Sequence, residues 1–355
     1  MVTTVGVMQV PRRYYACRHC KATHRPWDAW AGVGRRQMTE HARKMMALAG
    51  SSLSFESAAK RLKDLCGIRT SNDTVRRVCD EEGQLAQQWL DQSDQPVQRL
   101  NEASGHHEFY TDGVKVNTTG GWRELRLSVL ARRPAGAAAE PEDWEDRPLP
   151  QPTARLAWGA IADCEQVGAG WQRMGERVGL SRAQQVHVLA DGAKWIWDQA
   201  RDRLPKHNTH WCVDVYHVSE HLHAAGKALF GSTDAAKTWA DQALHTALAH
   251  NGPALIRQLR EQHDRLPDDD ARRTPLEQLI GYLADNADSL WYRDRLRAGL
   301  PIGSGLIESA CKTVIGGRLK INSARWCVPR AEHMAALRCL EYADLTDAYW
   351  QPRAA

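Results

Sequence analysis

The spacing of apolar residues changes twice along the chain. In residues 39–83 they recur at helical intervals. Ser54 is placed to cap a helix that begins at Phe55 with Glu56 in its first turn, and Ala58, Ala59, Leu62 and Leu65 continue its apolar face until Gly67 stops it. Thr70 or Ser71 caps a second helix that carries Val75 and Val78 inward and Arg76 and Arg77 outward. Two short helices about a glycine turn form a helix-turn-helix pattern, whose second helix can enter a major groove; a plain αα-hairpin is the other reading. Residues 84–104 are polar, helical and then loop-like, and read as a linker.

From residue 105 the period becomes two. His107–Val116 alternates as a strand, with a bulge or bend expected at Asp112–Gly113. A hairpin turn at Gly120–Gly121 leads into Trp122–Arg132, where Trp122, Leu125, Leu127 and Val129 are the apolar positions. Residues 134–152 read as an exposed loop and Leu156–Ala162 as a third strand. A short helix over Gly170–Val178 follows, then a nearly continuous apolar strand over Val186–Asp191 of the buried parallel kind. A helix over Ala193–Leu204, a strand over Trp211–Tyr216 and a helix over Val218–Phe230 complete this stretch. The period returns to helical in 231–298, with stripes at Trp239, Ala243, Leu244, Ala247 and Leu248, at Leu255, Ile256 and Leu259, and at Leu276, Leu279, Ile280 and Leu283. A flexible Gly303-Ser304-Gly305 turn then starts a helix with Glu308 near its first turn, and a last helix spans Glu332–Tyr342.

Composition narrows the class. The 355 residues suffice for two or three domains. No apolar run approaches the ~18 residues that span a membrane, and no signal pattern opens the chain, so no membrane partner is expected and the default compartment is the cytoplasm. Nine cysteines are too scattered for a disulfide scaffold. The net charge of +4 is small but uneven: Arg12–Arg13, Arg35–Arg36 and Arg318–Lys320 are basic and Asp268–Asp270 is acidic. Cys17-x-x-Cys20 supplies two thiolates at the spacing of a zinc knuckle. A ribbon needs a second pair, so a zinc site completed by His19 and His24 and an inert cysteine pair both stand.

Three hairpin-ordered strands, then helix, strand, helix, strand, helix, is the order of a ribonuclease-H-like fold. That resemblance puts one catalytic acid on the first strand and another at the end of the fourth, where Asp112 and Asp191 stand. The motifs YTDGVKV (110–116), VLADGAKWIW (188–197), CVDVYHVSEHL (212–222) and PIGSGLIESACKTVIGGRLK (301–320), with Arg325-Trp326 beyond, resemble the insertion-sequence transposases of the ISKra type, in the Mutator-like group. The resemblance covers roughly residues 10–340.

By that resemblance Asp112, Asp191 and Glu308 form a DDE triad that holds two Mg²⁺ or Mn²⁺ ions. Asp214-x-x-His217, with Cys212 just before, supports the site from behind. Lys312, Arg318 and Lys320 contact DNA, and Arg325 and Trp326 stand with them. The expected partners are double-stranded DNA and further copies of the chain, in the nucleoid of a bacterial cytoplasm. Family members carry another N-terminal cysteine pair, so the front reads as cut short and the ribbon as half made.

The fold class expected is therefore α/β: a ribonuclease-H-like catalytic core with an all-helical insertion, preceded by a helix-turn-helix region and half of a zinc-ribbon-like segment. The division is 1–38 for the ribbon-like segment, 39–104 for the DNA-binding region and linker, 105–230 for the core, 231–298 for the insertion and 299–345 for the return that carries Glu308. Two rivals remain. His217-Val218-Ser219-Glu220-His221 is a literal H-x-x-E-H, the inverted zinc-peptidase motif. The other is a DNA-binding relic without catalysis.

Overall fold

A computed structural model describes residues 1–3, 6–30, 33, 38–321 and 324–351; Arg35–Arg36 lie outside the described residues. Two short ribbons, Val2–Thr3 with Gly6–Val7 and Tyr15–Ala16 with Thr23–His24, open the chain. Helices α1 (Glu40–Ser52), α2 (Phe55–Cys66), α3 (Asn72–Gln92) and α4 (Asp94–Glu102) follow. The central stretch runs β1 (His106–Thr118), β2 (Gly121–Arg133), β3 (Ala154–Ala160), α5 (Cys164–Val178), β4 (Val186–Ala190), α6 (Lys194–Arg203), β5 (Thr209–Val213) and α7 (Val215–Phe230). Then come α8 (Asp234–His250), α9 (Gly252–Asp264), α10 (Arg273–Asp285), α11 (Tyr292–Arg297), α12 (Gly305–Ala310), α13 (Val328–Tyr342) and α14 (Thr346–Trp350).

The chain divides into two compact units, 1–93 with 114–125 and 312–355, and 94–113 with 126–311. In the first, the expected caps are present. Ser54 accepts from the Ser57 N–H, Gly67 ends α2 at φ +65°, and Ser71, not Thr70, caps α3 by accepting from the Thr74 N–H. Helix α3 runs on to Gln92, so most of the stretch read as a linker is helix, because Gly83, Ala86 and Leu90 extend its buried face. That face meets α13 closely: a Cβ on Gly83 would stand 2.4 Å from the His333 carbonyl oxygen. A buried carboxylate joins three helices. Glu82 of α3 accepts from Arg43 Nε of α1 at 2.8 Å and from the Tyr349 hydroxyl of α14 at 2.9 Å.

The second unit is built on a mixed sheet in the order β3-β2-β1-β4-β5, with β2 and β3 antiparallel and β1, β4 and β5 parallel. This is a mixed α/β architecture compatible with a ribonuclease-H-like core. Strand β4 is buried along its whole length, as its continuous apolar run requires. Strand β1 runs unbroken through Asp112–Gly113 to Thr118. Trp122 is 65% exposed while Leu125, Leu127 and Val129 are buried. The physical reason is parity: with a period of two, position 122 faces away from the odd-numbered positions.

Glu108 is fully buried on β1, where it accepts from Tyr110, His106 and Arg133, each at 2.9 Å. Burial alone would push its carboxyl up, but the His106 hydrogen bond and the Arg133 charge prevail and hold it below the ordinary value. Helices α8 to α11 follow, and the stripes read from 231–298 lie on their buried faces except for Trp239 and Ile280, which are half-buried. The turn between α8 and α9 needs a left-handed residue, and Asn251 supplies it at φ +65° while its Oδ1 accepts from the Arg293 N–H at 2.9 Å.

An alanine at Gly83 should gain helix propensity yet lose the close approach to α13. Gly83→Ala is therefore expected to destabilise the protein by about 1–3 kcal/mol in urea denaturation, and a neutral or stabilising result would refute tight α3–α13 packing.

Candidate active site

Asp112 lies two residues beyond the last β1 position paired with β4, and Asp191 is the first residue after β4. Parallel pairing thus brings Asp112, within β1, level with Asp191 at the end of the adjacent β4. Each is fixed through its own loop or strand backbone: Asp112 Oδ1 accepts from the Gly113 N–H at 2.6 Å, and Asp191 Oδ1 from the Ala193 N–H at 3.0 Å. Burial pushes the Asp112 carboxyl up from its ordinary value, against the pull of the Gly113 N–H. The charge of Asp191 adds to the rise, while His217 and the Cys311 thiol oppose it. The two acids are therefore close enough to repel. Gly192 follows because the chain there passes Tyr282, whose hydroxyl would lie 2.4 Å from any Cβ.

Asp214 is fully buried at the start of α7. Its Oδ1 accepts from the Tyr216 N–H at 2.8 Å and its Oδ2 from the Ser304 hydroxyl. Its own N–H donates to the Ala190 carbonyl at 2.9 Å, one residue before Asp191. Ser304 in turn begins α12, and its carbonyl accepts from the Ile307 and Glu308 N–H groups at 2.9 and 3.2 Å. The Val215 N–H donates to the Ile302 carbonyl at 3.0 Å, and the Tyr292 hydroxyl to the Val213 carbonyl at 3.0 Å. Through its backbone N–H and its carboxylate, Asp214 thus ties the end of β4 to the turn that carries Glu308. Glu308 itself is exposed on the first turn of α12, and with Glu145 and Asp214 it adds to the burial that raises the Tyr216 phenol.

Cys212 is buried on β5, and burial pushes its thiol up to about 11, which makes it a packed thiol and not a thiolate ligand. His217 lies in the first turn of α7, 3.4 Å from Glu220, not at the end of a strand: β5 stops at Val213 because Asp214 caps the helix. His221 stacks on Tyr282 with ring centroids 3.9 Å apart. Among the described residues no group of three or more His, Cys, Asp or Glu side chains is placed to hold a metal ion together. The H-x-x-E-H thus has two imidazoles, one beside Glu220 and one stacked on Tyr282, and no third ligand among the described residues. Mg²⁺ asks for less: one or two carboxylates with water and phosphate oxygens completing the shell, which the Asp112–Asp191 pair can offer.

Cys17 and Cys20 stand at the turn of the second short ribbon, and the Cys20 N–H reaches Cys17 Sγ at 3.5 Å. That hydrogen bond and its neighbours lower the exposed Cys17 thiol. Two thiolates alone do not fill the four positions of a structural zinc.

The residues read as DNA contacts divide. Arg77, Lys312, Lys320 and Arg325 are exposed, and Arg76 is half-buried and paired with Asp73. Arg318 and Trp326 are buried, at 2% and 6% exposure. They face a pocket and not an open surface, because Leu319 and Trp326 fold inward and the Trp326 indole donates to the Leu319 carbonyl at 3.0 Å. Hydropathy alone could not have signalled a buried arginine.

The chain matches no protein-family model and no curated protein. Among solved structures it is similar to the Drosophila P element transposase strand transfer complex, with a TM-score of 0.33 and 10% identity over 92% of this chain and 84% of that one. A likeness that slight assigns no activity; the sheet topology and the carboxylates are the features that bear on function.

Two measurements check this geometry. A buried acid whose folded pKa is raised loses stability as pH climbs from its unfolded pKa through the folded one, and loses none below its unfolded value. Asp112→Asn should therefore stabilise the fold at pH 7, and the gain should vanish as pH falls below the ordinary Asp range in thermal melts. No gain at pH 7 would contradict the raised carboxyl. Ser304→Ala leaves Asp214 Oδ2 without its hydroxyl donor and should cost about 1–3 kcal/mol in urea denaturation. Ser304→Thr, which keeps the hydroxyl, should recover part of that loss.

Proposed function

We propose that the chain is a DNA transposase that cleaves and joins DNA strands through Asp112, Asp191 and Glu308. The observation that carries this is the placement of Asp112, just past the β4-paired part of β1, level with Asp191 at the end of β4, where burial and the Asp191 charge both raise the Asp112 carboxyl. A half-buried carboxyl raised by a neighbouring acid ionises at a cost, and a divalent cation would relieve it. Asp112 and Asp191 would hold Mg²⁺ or Mn²⁺, with Glu308 joining when DNA is bound. The ion's chemistry would be to stabilise charge on the attacking and leaving oxygens of a phosphodiester.

The protein's own groups fit that role. Asp214 and Ser304 set the position of the Glu308 turn. His217 lies close enough to bias the Asp112 carboxyl toward its ionised form, the form that binds a cation. Tyr282, pushed up to about 12 by burial and by Asp191, Asp214 and Glu220, stays neutral beside Gly192 and offers a hydrogen-bond donor rather than a charge.

Helices α2 and α3 would read duplex DNA, with Arg76 and Arg77 on the outward face of α3. Lys312, Lys320 and Arg325 would neutralise phosphates, so binding should weaken steeply with salt. Two element ends cut together call for more than one copy of the chain. The fine assignment, an insertion-sequence transposase of the ISKra type, rests on the four motifs and their order. No described helix is long and apolar enough to cross a membrane. The zinc-peptidase reading is disfavoured by the stacking of His221 on Tyr282.

The test is strand cleavage of duplex DNA with Mn²⁺ or Mg²⁺. Asp191→Asn should abolish cleavage and leave DNA retention in a gel-shift assay unchanged. Cleavage that survives Asp191→Asn, or that needs zinc and His217, would sink the reading.

A further inference from the structure

In the first unit Arg318 is an unusual cation. It is 2% exposed, its Nε donates to the Gly50 carbonyl at 2.8 Å, and its guanidinium lies 4.6 Å from the Phe55 ring centroid and 4.9 Å from that of Trp326. Its Nη2 is buried and has no hydrogen-bond partner among the described residues. No carboxylate among the described residues pairs with it, and burial pushes it down to about 10. A buried charge without a counterion is costly, and an orphaned donor adds to the cost.

Arg318 lines a cavity of about 300 Å³ together with Phe55, Trp326, Arg76, Arg325 and Arg330. That volume is at the lower end of small-ligand pockets (~300–1,000 Å³). Four guanidiniums and no acid among the described residues line it. Arg325 donates to the Thr118 and Thr119 carbonyls, at 3.2 and 3.1 Å, which are neutral acceptors and leave its charge uncompensated. Arg330 and Arg76 are paired with Asp80 and Asp73, which stand outside the lining. The cavity therefore asks for an anion joined to something flat and apolar. Arginine forks match phosphate oxygens, and aromatic rings or guanidinium planes stack on bases.

We propose that this pocket binds one nucleotide of a DNA strand, its phosphate held by Arg325 and Arg330 at the rim and its base against the cluster of Phe55, Arg318 and Trp326. The DNA partner rests on the transposase function proposed for the chain; the pocket adds a place where a single nucleotide leaves the duplex and is held. Unstacking a base costs energy, which the buried cation and the rings would offset.

The experiment is ligand-observed NMR titration of the full chain with thymidine 5′-monophosphate, thymidine and inorganic phosphate. The monophosphate should bind about tenfold more tightly than either part, and Arg325→Ala or Arg330→Ala should each weaken it about fivefold or more. Arg318→Lys should also weaken it, and because that buried variant can fail to fold, the two rim variants carry the test. If inorganic phosphate binds as well as the monophosphate, or if neither rim variant changes binding, the proposal is overturned. Asp191→Asn should bind the monophosphate like the wild type. Monophosphate binding without DNA cleavage would sink the transposase reading and leave the pocket. Cleavage without monophosphate binding would do the reverse.

Discussion

The candidate site depends on the buried carboxylate of Asp214. A fully desolvated acid persists only when its oxygens are satisfied, and here a backbone N–H and the Ser304 hydroxyl do that. The two donors come from distant segments of the chain, one capping α7 and the other opening α12. With the Asp214 N–H on the Ala190 carbonyl, the same residue fixes the end of β4, the entry to α7 and the return of the chain. The helices α8 to α11 can therefore intervene in sequence without loosening the turn that carries Glu308.

The rest of that end of the sheet is set by parallel pairing. Strands β1 and β4 run the same way, so Asp112, just past their paired stretch, comes level with Asp191 at the end of β4, and the Asp191 charge helps raise the Asp112 carboxyl. Ionising Asp112 there has a cost, and that cost is the physical content of the proposed chemistry. Glu108, on the same strand as Asp112, shows the contrast. It is also buried, but Arg133, Tyr110 and His106 satisfy it, and it serves as a structural acid.

The first unit resolves its charges differently. Glu82 takes Arg43 and Tyr349 and becomes a core link between helices, whereas Arg318 is left with two aromatic rings and one carbonyl. The difference is what makes one a packing element and the other a candidate ligand contact.

Much of the architecture was legible in the chain. Period-two runs marked the strands, and Ser54, Gly67 and Ser71 marked helix ends, because caps and periodicity are local properties. Local signals failed where parity or length decided. Trp122 belonged to the other face of β2, the stretch after Arg77 stayed helical, and β5 ended at Val213 because Asp214 capped a helix. The sequence alone determined which acids and arginines exist and on which elements they lie. Only the tertiary structure decided that Asp112 feels Asp191, that Asp214 reaches Ser304 and that Arg318 is buried beside two rings. Those depend on desolvation and on contacts between segments distant in the chain, which no local pattern encodes.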